Sequence, residues 1–287
     1  MGEMVQMDGS HHDWFEGRGP WCVLMGYIDD ATGKVFGKFY DYEGTIPALD
    51  SFRGYVKKHG LPMAVYVDQH TTYKSPAKAS IQDELANRMP LSEFERALEE
   101  LGVKVIHATS APAKGRVERL FGTLQDRLVK EMRLRGLRTV KEANDFLKRY
   151  LPVYNRRFSV RPQEIGDFHR PLPPGVDLDS ILCIKTERTL RNDFTVAHHH
   201  KLYQIEGTVR ASKVMVHDRI DGSLSIDYKG RALRFKEITE RPLTESKDSM
   251  VVPKKKRFTP PSSHPWRWNF KFGIHKHERG KPIESLT

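Results

Sequence analysis

Three acids in this 287-residue chain stand where they could do chemistry together. Asp8 closes a short apolar run in Met4-Val-Gln-Met-Asp8, and Asp68 closes another in Ala64-Val-Tyr-Val-Asp68. Glu118 opens a long basic segment, Gly115-Arg-Val-Glu-Arg-Leu-Phe121. A carboxylate at the end of a buried strand carries a desolvation penalty unless a cation or hydrogen bonds compensate it. Two aspartates and a glutamate that converge are hard oxygen ligands suited to Mg²⁺ or Mn²⁺. A pair of such ions can activate the attacking oxygen and stabilise the leaving oxygen of a phosphodiester in an in-line displacement. The plainer reading of any one acid is a turn cap after a strand. It loses force for the set, because basic residues crowd only the third acid.

The charge balance agrees with a polyanionic partner. Forty-eight Lys and Arg against 37 Asp and Glu leave a formal net charge of +11. Residues 1–50 carry nine acids and three bases, 114–157 thirteen bases and five acids, and 251–287 nine bases and two acids. Solvated surface charge is the plainer reading of one such segment, but the total favours binding to nucleic acid. Mean hydropathy is −0.60. The longest apolar stretch, about Trp21–Ile28, is far short of the roughly 20 residues that cross a bilayer, so no membrane partner is expected. No basic-then-apolar leader opens the chain, which points to a cytoplasmic protein. Cys22 and Cys183, the two cysteines, exclude a disulfide scaffold and a cysteine-rich zinc site. No Gly-rich phosphate loop or nucleophile–base motif suggests a small-molecule enzyme.

The elements that must position the acids follow from periodicity and turn signals. Met4–Gly9, Cys22–Ile28 and Lys34–Tyr40 read as three antiparallel strands, with Asp30-Ala-Thr-Gly33 as a turn. A helix capped by Thr45 and ending near Gly60 follows, then a buried strand at Met63–Val67. Leu91–Leu101 is a helix with Ser92 and Glu95 in capping-box spacing and Gly102 as its stop. Val103–Ala108 is a strand, Gly115–Arg135 a long amphipathic helix, and Thr139–Tyr154 a further helix. This is an α/β domain over residues 1–157, with a site expected at the ends of its buried strands. Residues 158–180 are proline-rich and read as a linker. Alternating runs over 181–242 read as a small all-β barrel, and 243–287 as a basic, disordered tail.

The segments Gln6–Gly17, Gly26–Gly33 and Gly115–Gln125, in that order, resemble bacterial insertion-sequence transposases with a retroviral-integrase-type catalytic core. The resemblance covers roughly residues 3–240. It implies a ribonuclease-H-like fold, a catalytic and metal-binding triad of Asp8, Asp68 and Glu118, and Mg²⁺ or Mn²⁺, two ions in the usual arrangement. It further implies an SH3-like barrel similar to that of Mu-like transposases. The expected chemistry is donor-end cleavage by water, then attack of the freed 3′-hydroxyl on target DNA. The implied partners are double-stranded DNA, as element ends and target, and further copies of the chain, in a nucleoid-associated setting. Two departures stand out. The helix-turn-helix region usual before such a core is absent from the sequence, and Asp68 and Glu118 stand 50 positions apart. Two rival readings remain: an inert, truncated transposase that inhibits by binding DNA, and a ribonuclease-H-like nuclease that cuts without joining.

Around Glu118, Lys114, Arg116, Arg119 and Arg127 are the expected DNA-phosphate contacts, against the plainer reading of a solvated helix face. Asp13 competes with Asp8 as a ligand, and His11 and His12 could assist either. Trp14, Phe15 and Trp21 could stack on unpaired bases, although core or lid roles are commoner for such residues. His198-His199-His200 with His217 suggests a metal site, but consecutive histidines on a strand face opposite ways and lack a cysteine partner. Lys254–Arg257 and the alternating Trp266, Trp268, Phe270 and Phe272 belong to the basic tail.

Overall fold

The computed structural model describes residues 1–77, 89–108 and 115–239. Lys114 and the tail, with its Lys254–Arg257 and Trp266 motifs, lie outside the described residues.

Five strands form one mixed sheet: β1 (Met4–His12), β2 (Cys22–Asp29), β3 (Val35–Tyr40), β4 (Ala64–Val67) and β5 (Lys104–His107), in the order β3-β2-β1-β4-β5. β1 pairs antiparallel with β2 and parallel with β4, and β4 pairs parallel with β5. Side chains alternate along a strand, and each face of the sheet carries its own core. Val5, Met7, Val23, Met25, Tyr27, Val65 and Val67 meet α1 (Thr45–His59) and α2 (Glu93–Glu100). Cys22, Leu24, Val35 and Phe39 meet α3 (Gly115–Leu134) and α4 (Val140–Phe158) on the other face.

The local signals explain most element ends. Ser92 and Glu95 form the capping box of α2, and Thr139 and Glu142 form that of α4. Gly102, at φ +65°, supplies the left-handed residue that ends α2's segment. Two expectations need correction. The N-cap of α1 is Gly44, with no side-chain cap, so Thr45 is the first helical residue. β1 does not end at Gly9; Ser10, His11 and His12 continue the ladder opposite Leu24, Val23 and Cys22. Asp8 therefore sits within a strand, because pairing with β2 outlasts the apolar pattern.

Between α4 and the short helix α5 (Leu178–Ile181), the proline-rich segment runs along the core. The backbone of Arg170 exchanges two 2.8 Å hydrogen bonds with Leu61, and its guanidinium reaches the carbonyls of Leu101 and Gly102. Beyond α5, β6 (Cys183–Thr189), β9 (Lys213–Arg219), β10 (Leu224–Tyr228) and β11 (Arg231–Leu233) form one sheet in the order β11-β10-β9-β6. β7 (Thr195–His198), β8 (Lys201–Ile205) and β12 (Phe235–Ile238) form a second. Both contribute to one core around Val196, Val216 and Ile226. The unit is tied to α2 by Arg96, which donates to the carbonyls of Ile181 and Cys183 while pairing with Glu93 and Glu100. Against the burial that would raise it, Lys185 and Arg96 hold the Glu100 carboxyl below the usual range.

One half-buried histidine gives the core an acid-sensitive joint. His59, at the end of α1, packs against Phe36, Tyr55 and His169. Burial, with the Lys58 ammonium beside it, pushes its pKa down from 6.5 to about 4. The unfolded chain then takes up this proton at a higher pH than the native one. The His59 contribution is complete above about pH 6.5 and is lost as pH falls through 6.5 toward 4. Thermal melts across pH 7 to 4.5 should show a steeper fall in Tm for the wild type than for His59→Leu.

Candidate active site

β1 supplies the site's polar stripe. Val5 and Met7 point into one core, which leaves Gln6, Asp8 and Ser10 on the face covered by α3. The parallel register pairs Val5 with Val65 and Gln6 with Tyr66. The paired ladder ends there, with Asp8 two residues further along β1 and Asp68 just past the end of β4.

Three contacts set α3, the helix that bears Glu118, on the sheet. At its start, Arg116 Nε lies 2.8 Å from Asp30 Oδ1, which also accepts from Gln6 Nε2 at 3.1 Å. At mid-helix, Phe121 covers Gly26, the residue paired with Asp8. Further on, Gln125 Nε2 donates to Ser10 Oγ at 3.1 Å. Glu118 lies seven residues before Gln125, on the same helix flank, about 10 Å back along the axis. Three strand residues back from Ser10 cover about the same distance, which brings Glu118 to the level of Met7 and Asp8. Glu118 is solvent-exposed.

Asp68 follows β4. Its Oδ1 accepts from the backbone N–H of His70 at 2.9 Å, a turn cap of the kind its position suggests. The loop is fastened to the end of β5 by Gln69, which donates to the Ala108 carbonyl, and by His107. His107 Nδ1 lies 3.3 Å from the Asp68 carbonyl and Nε2 2.7 Å from Glu95 Oε1.

The other sequence candidates fall into distinct places. Asp13 accepts from the Gly17 N–H with both oxygens and so caps a turn. Trp14 and Phe15 are fully buried, with Trp14 Nε1 donating to the Ser10 carbonyl, so neither can stack on a base. Trp21 is 58% exposed and packs on His11, while His12 packs on Trp14. Arg116 is paired with Asp30, and Arg119 is exposed. Arg127, nine residues beyond Glu118, stacks over Phe158 and does not adjoin the acid. Cys22 is buried, which pushes its thiol up to about 12, Asp41 and Asp13 adding to the effect.

The histidine cluster corrects the alternation argument. His199 and His200 have φ of 46° and 62° and form a tight turn, so His198 and His199 both reach Asp218. The three offer ligand atoms within 4.8 Å of one another. However, Arg188 Nε donates to His198 Nδ1 at 3.2 Å. That bond fixes the proton of neutral His198 on Nε2, where it is donated to Asp218 at 2.9 Å, and leaves no lone pair for a cation there.

Sequence reasoning missed three groups. Glu43 lies against Gly9, beside Asp8. Tyr73, fully buried, has a hydroxyl with no hydrogen-bond partner among the described residues. The third is a groove of about 690 Å³ between α3 and α4, lined by Arg127, Lys130, Arg135, Arg149, Arg157 and an aromatic row. Phe146, Tyr150, Tyr154 and Phe158 recur every four residues, with centroids 5.5, 6.0 and 4.7 Å apart, and that spacing was the available signal.

No protein-family model matches the chain. It is 30% identical over 302 residues to the transposase for insertion sequence IS1202 of Streptococcus pneumoniae, covering 100% of this chain and 62% of that protein. It is 37% identical over 243 residues to a Sinorhizobium fredii protein, y4bF, that carries a transposase name, covering 82% of this chain and 52% of that protein. The curated relatives are transposases. The chain spans about half to three fifths of their length. Among solved structures it resembles the catalytic core domain of BIV integrase, with 16% identity, 60% of this chain and 91% of that one covered, and a TM-score of 0.39. The HTLV-2 integrase catalytic core in complex with magnesium gives 18% identity, 50% and 81% coverage, and a TM-score of 0.36. No helix among the described residues is long and apolar enough to cross a membrane.

The contact that sets α3 on the sheet is open to test. A Cβ at Gly26 would lie 2.8 Å from Phe121 Cε1 and 2.9 Å from Cζ. Gly26→Ala should destabilise the chain by about 1–3 kcal/mol, the usual range for overpacking, with a lower urea midpoint. An unchanged midpoint would mean that the ring swings aside and that α3 is held by its other contacts.

Proposed function

We propose that this chain is the catalytic part of a DNA transposase, with a ribonuclease-H-like core at 1–157. Residues 158–180 then form a connecting strap, 181–242 a small DNA-contacting β barrel and 243–287 a basic tail. The observation that carries the reading is the parallel β1–β4 register, in which β1 runs on to Asp8 and β4 leads to Asp68, with the helix that bears Glu118 lying over the same face of β1. Transposases among the sequence relatives support the same reading.

The donors fit a hard divalent cation. A carboxylate on β1, one just past the end of β4 and an exposed glutamate offer an oxygen-only set without sulfur or imidazole. Asp8, Asp68 and Glu118 would hold Mg²⁺ or Mn²⁺, which supplies Lewis acidity to the attacking and leaving oxygens of a phosphodiester. The chain's own residues do the rest. Asp8 is carried by a sheet buried on both faces and Asp68 by the loop that Gln69 and His107 fasten, so both are supported before substrate arrives. Lys114, Arg116 and Arg119 flank Glu118 in sequence and take DNA phosphates, Arg116 by exchanging its Asp30 partner for phosphate. Arg127 serves the groove between α3 and α4, away from the acids. No side chain is required as a covalent nucleophile: water cuts the donor end, and the freed 3′-hydroxyl attacks target DNA. Several copies acting together on two element ends would account for synapsis.

A strand-transfer assay tests this reading. A pre-cleaved DNA end is mixed with supercoiled plasmid and Mg²⁺ or Mn²⁺, comparing wild type with Glu118→Gln. Joined products in the wild type that vanish in the variant are expected. Cutting without joining would indicate a nuclease. Binding with neither would indicate an inert DNA-binding remnant.

A further inference from the structure

The groove between α3 and α4 has a lining that the acid site does not use. Its cavity of about 690 Å³ carries five bases, Arg127, Lys130, Arg135, Arg149 and Arg157, against two acids, Asp126 and Glu131. Both acids are taken within the lining, Asp126 by Lys130 and Glu131 by Arg135. Arg127, Arg149 and Arg157 have no acidic partner among the described residues, so three positive charges are left to attract an anion.

The aromatic floor says what kind of anion. Phe146, Tyr150, Tyr154 and Phe158 follow one another at four-residue spacing along α4. Twelve residues of helix span about 18 Å, the length of about five nucleotides of one DNA strand. Phe146 and Tyr154 are buried, but Tyr150 is half-buried and Phe158 is 38% exposed. Guanidinium groups stand over the rings at both ends of the row. Arg127 and Arg157 lie 5.1 and 5.4 Å from the Phe158 centroid, and Arg135 lies 4.6 Å from that of Phe146. A surface for duplex phosphates needs the cations but no such floor, because paired bases keep their faces inside the stack. An acidic peptide would likewise engage the cations and leave the rings unused. Unpaired bases offer their faces, and aromatic side chains in a basic groove are the arrangement that takes them.

We propose that the α3–α4 groove is a binding site for single-stranded DNA, in which bases stack on Tyr150 and Phe158 while Arg127, Arg149 and Arg157 take the phosphates. The site is separate from the acids, since Arg127 stands nine residues beyond Glu118, about 14 Å along α3. It rests on the proposed function only for the source of its ligand, the strands left unpaired when DNA ends are cut and joined.

The test is photocrosslinking of the full chain to an oligothymidylate carrying 5-iodouracil, with the adducts mapped by mass spectrometry. Adducts are expected at Tyr150, Tyr154 or Phe158. Read from the tyrosine adducts as the oligonucleotide is titrated, Phe158→Leu should weaken binding about 5- to 100-fold, the usual cost of one lost stacking partner. This variant keeps an apolar side chain, and an unchanged Tm shows that the fold is kept. Phe158→Trp should restore binding. Arg157→Gln should reduce the salt-dependence slope by about 0.7, the value for one phosphate contact on a single strand. Unlabelled oligothymidylate should displace the probe from the groove, and duplex DNA or polyglutamate of matched charge should not. Displacement by either of these as readily as by the single strand would overturn the proposal and leave a general polyanion surface. Adducts only outside the groove, or wild-type behaviour of Phe158→Leu and Arg157→Gln, would overturn it too and leave the transposase reading standing. Groove adducts from a chain that joins no DNA would uphold the site while the transposase reading fell.

Discussion

A carboxylate inside a central strand is tolerable only where the strand's two faces have different neighbours, and the pairing of β1 between β2 and β4 arranges this. The sequence Val5-Gln-Met-Asp-Gly-Ser10 alternates, so one register puts Val5 and Met7 into an apolar core and Gln6, Asp8 and Ser10 under α3. A slip of one residue would exchange the faces and bury Asp8 among aliphatic side chains. β1 also pairs in parallel with β4, the strand that leads to Asp68. Parallel neighbours run in step, so β4 leads toward the same end of the sheet as Asp8, where the loop that carries Asp68 is fastened by Gln69 and His107.

The helix layer is then brought down onto that stripe by missing side chains and short polar links. Gly26 gives Phe121 its seat directly opposite Asp8, while the Arg116–Asp30–Gln6 and Gln125–Ser10 contacts set the helix's position along the strand. The other face is built by the same means, with Gly9 making room for Glu43. Both glycines lie in strands, where glycine loses entropy and packing surface. Close approach at the site is what each offers in return.

Charge is divided to match. The acids gather on the sheet, and the bases line α3, α4 and the groove between them. Where acids elsewhere in the fold are buried, they come with dedicated partners. Asp50 is held below its usual pKa, against burial, by hydrogen bonds from Lys38, Tyr40 and Arg53, and Arg53 continues to Asp179 in α5. Arg96 does the same work between α2 and β6, so the β unit and the core share a polar joint as well as apolar contacts.

Much of this was legible in the sequence because it is local. Alternation gave the strands, and the capping-box spacing at Ser92 gave a helix start. What stayed hidden depends on atoms distant along the chain. Gly44 in place of Thr45 as the cap, the extension of β1 to His12, and the turn at His199-His200 are decided by pairing partners that a single segment does not announce. Arg127 belongs to a groove because α4 lies beside it. The approach of Glu43 to Gly9 joins positions 34 residues apart, and the isolation of the Tyr73 hydroxyl is a property of everything packed around it. The sequence by itself determined which residue types could hold a cation and which strands and helices carry them. Only the tertiary structure decided which of them meet, because register and close approach are set by packing between segments and leave no periodic trace within one.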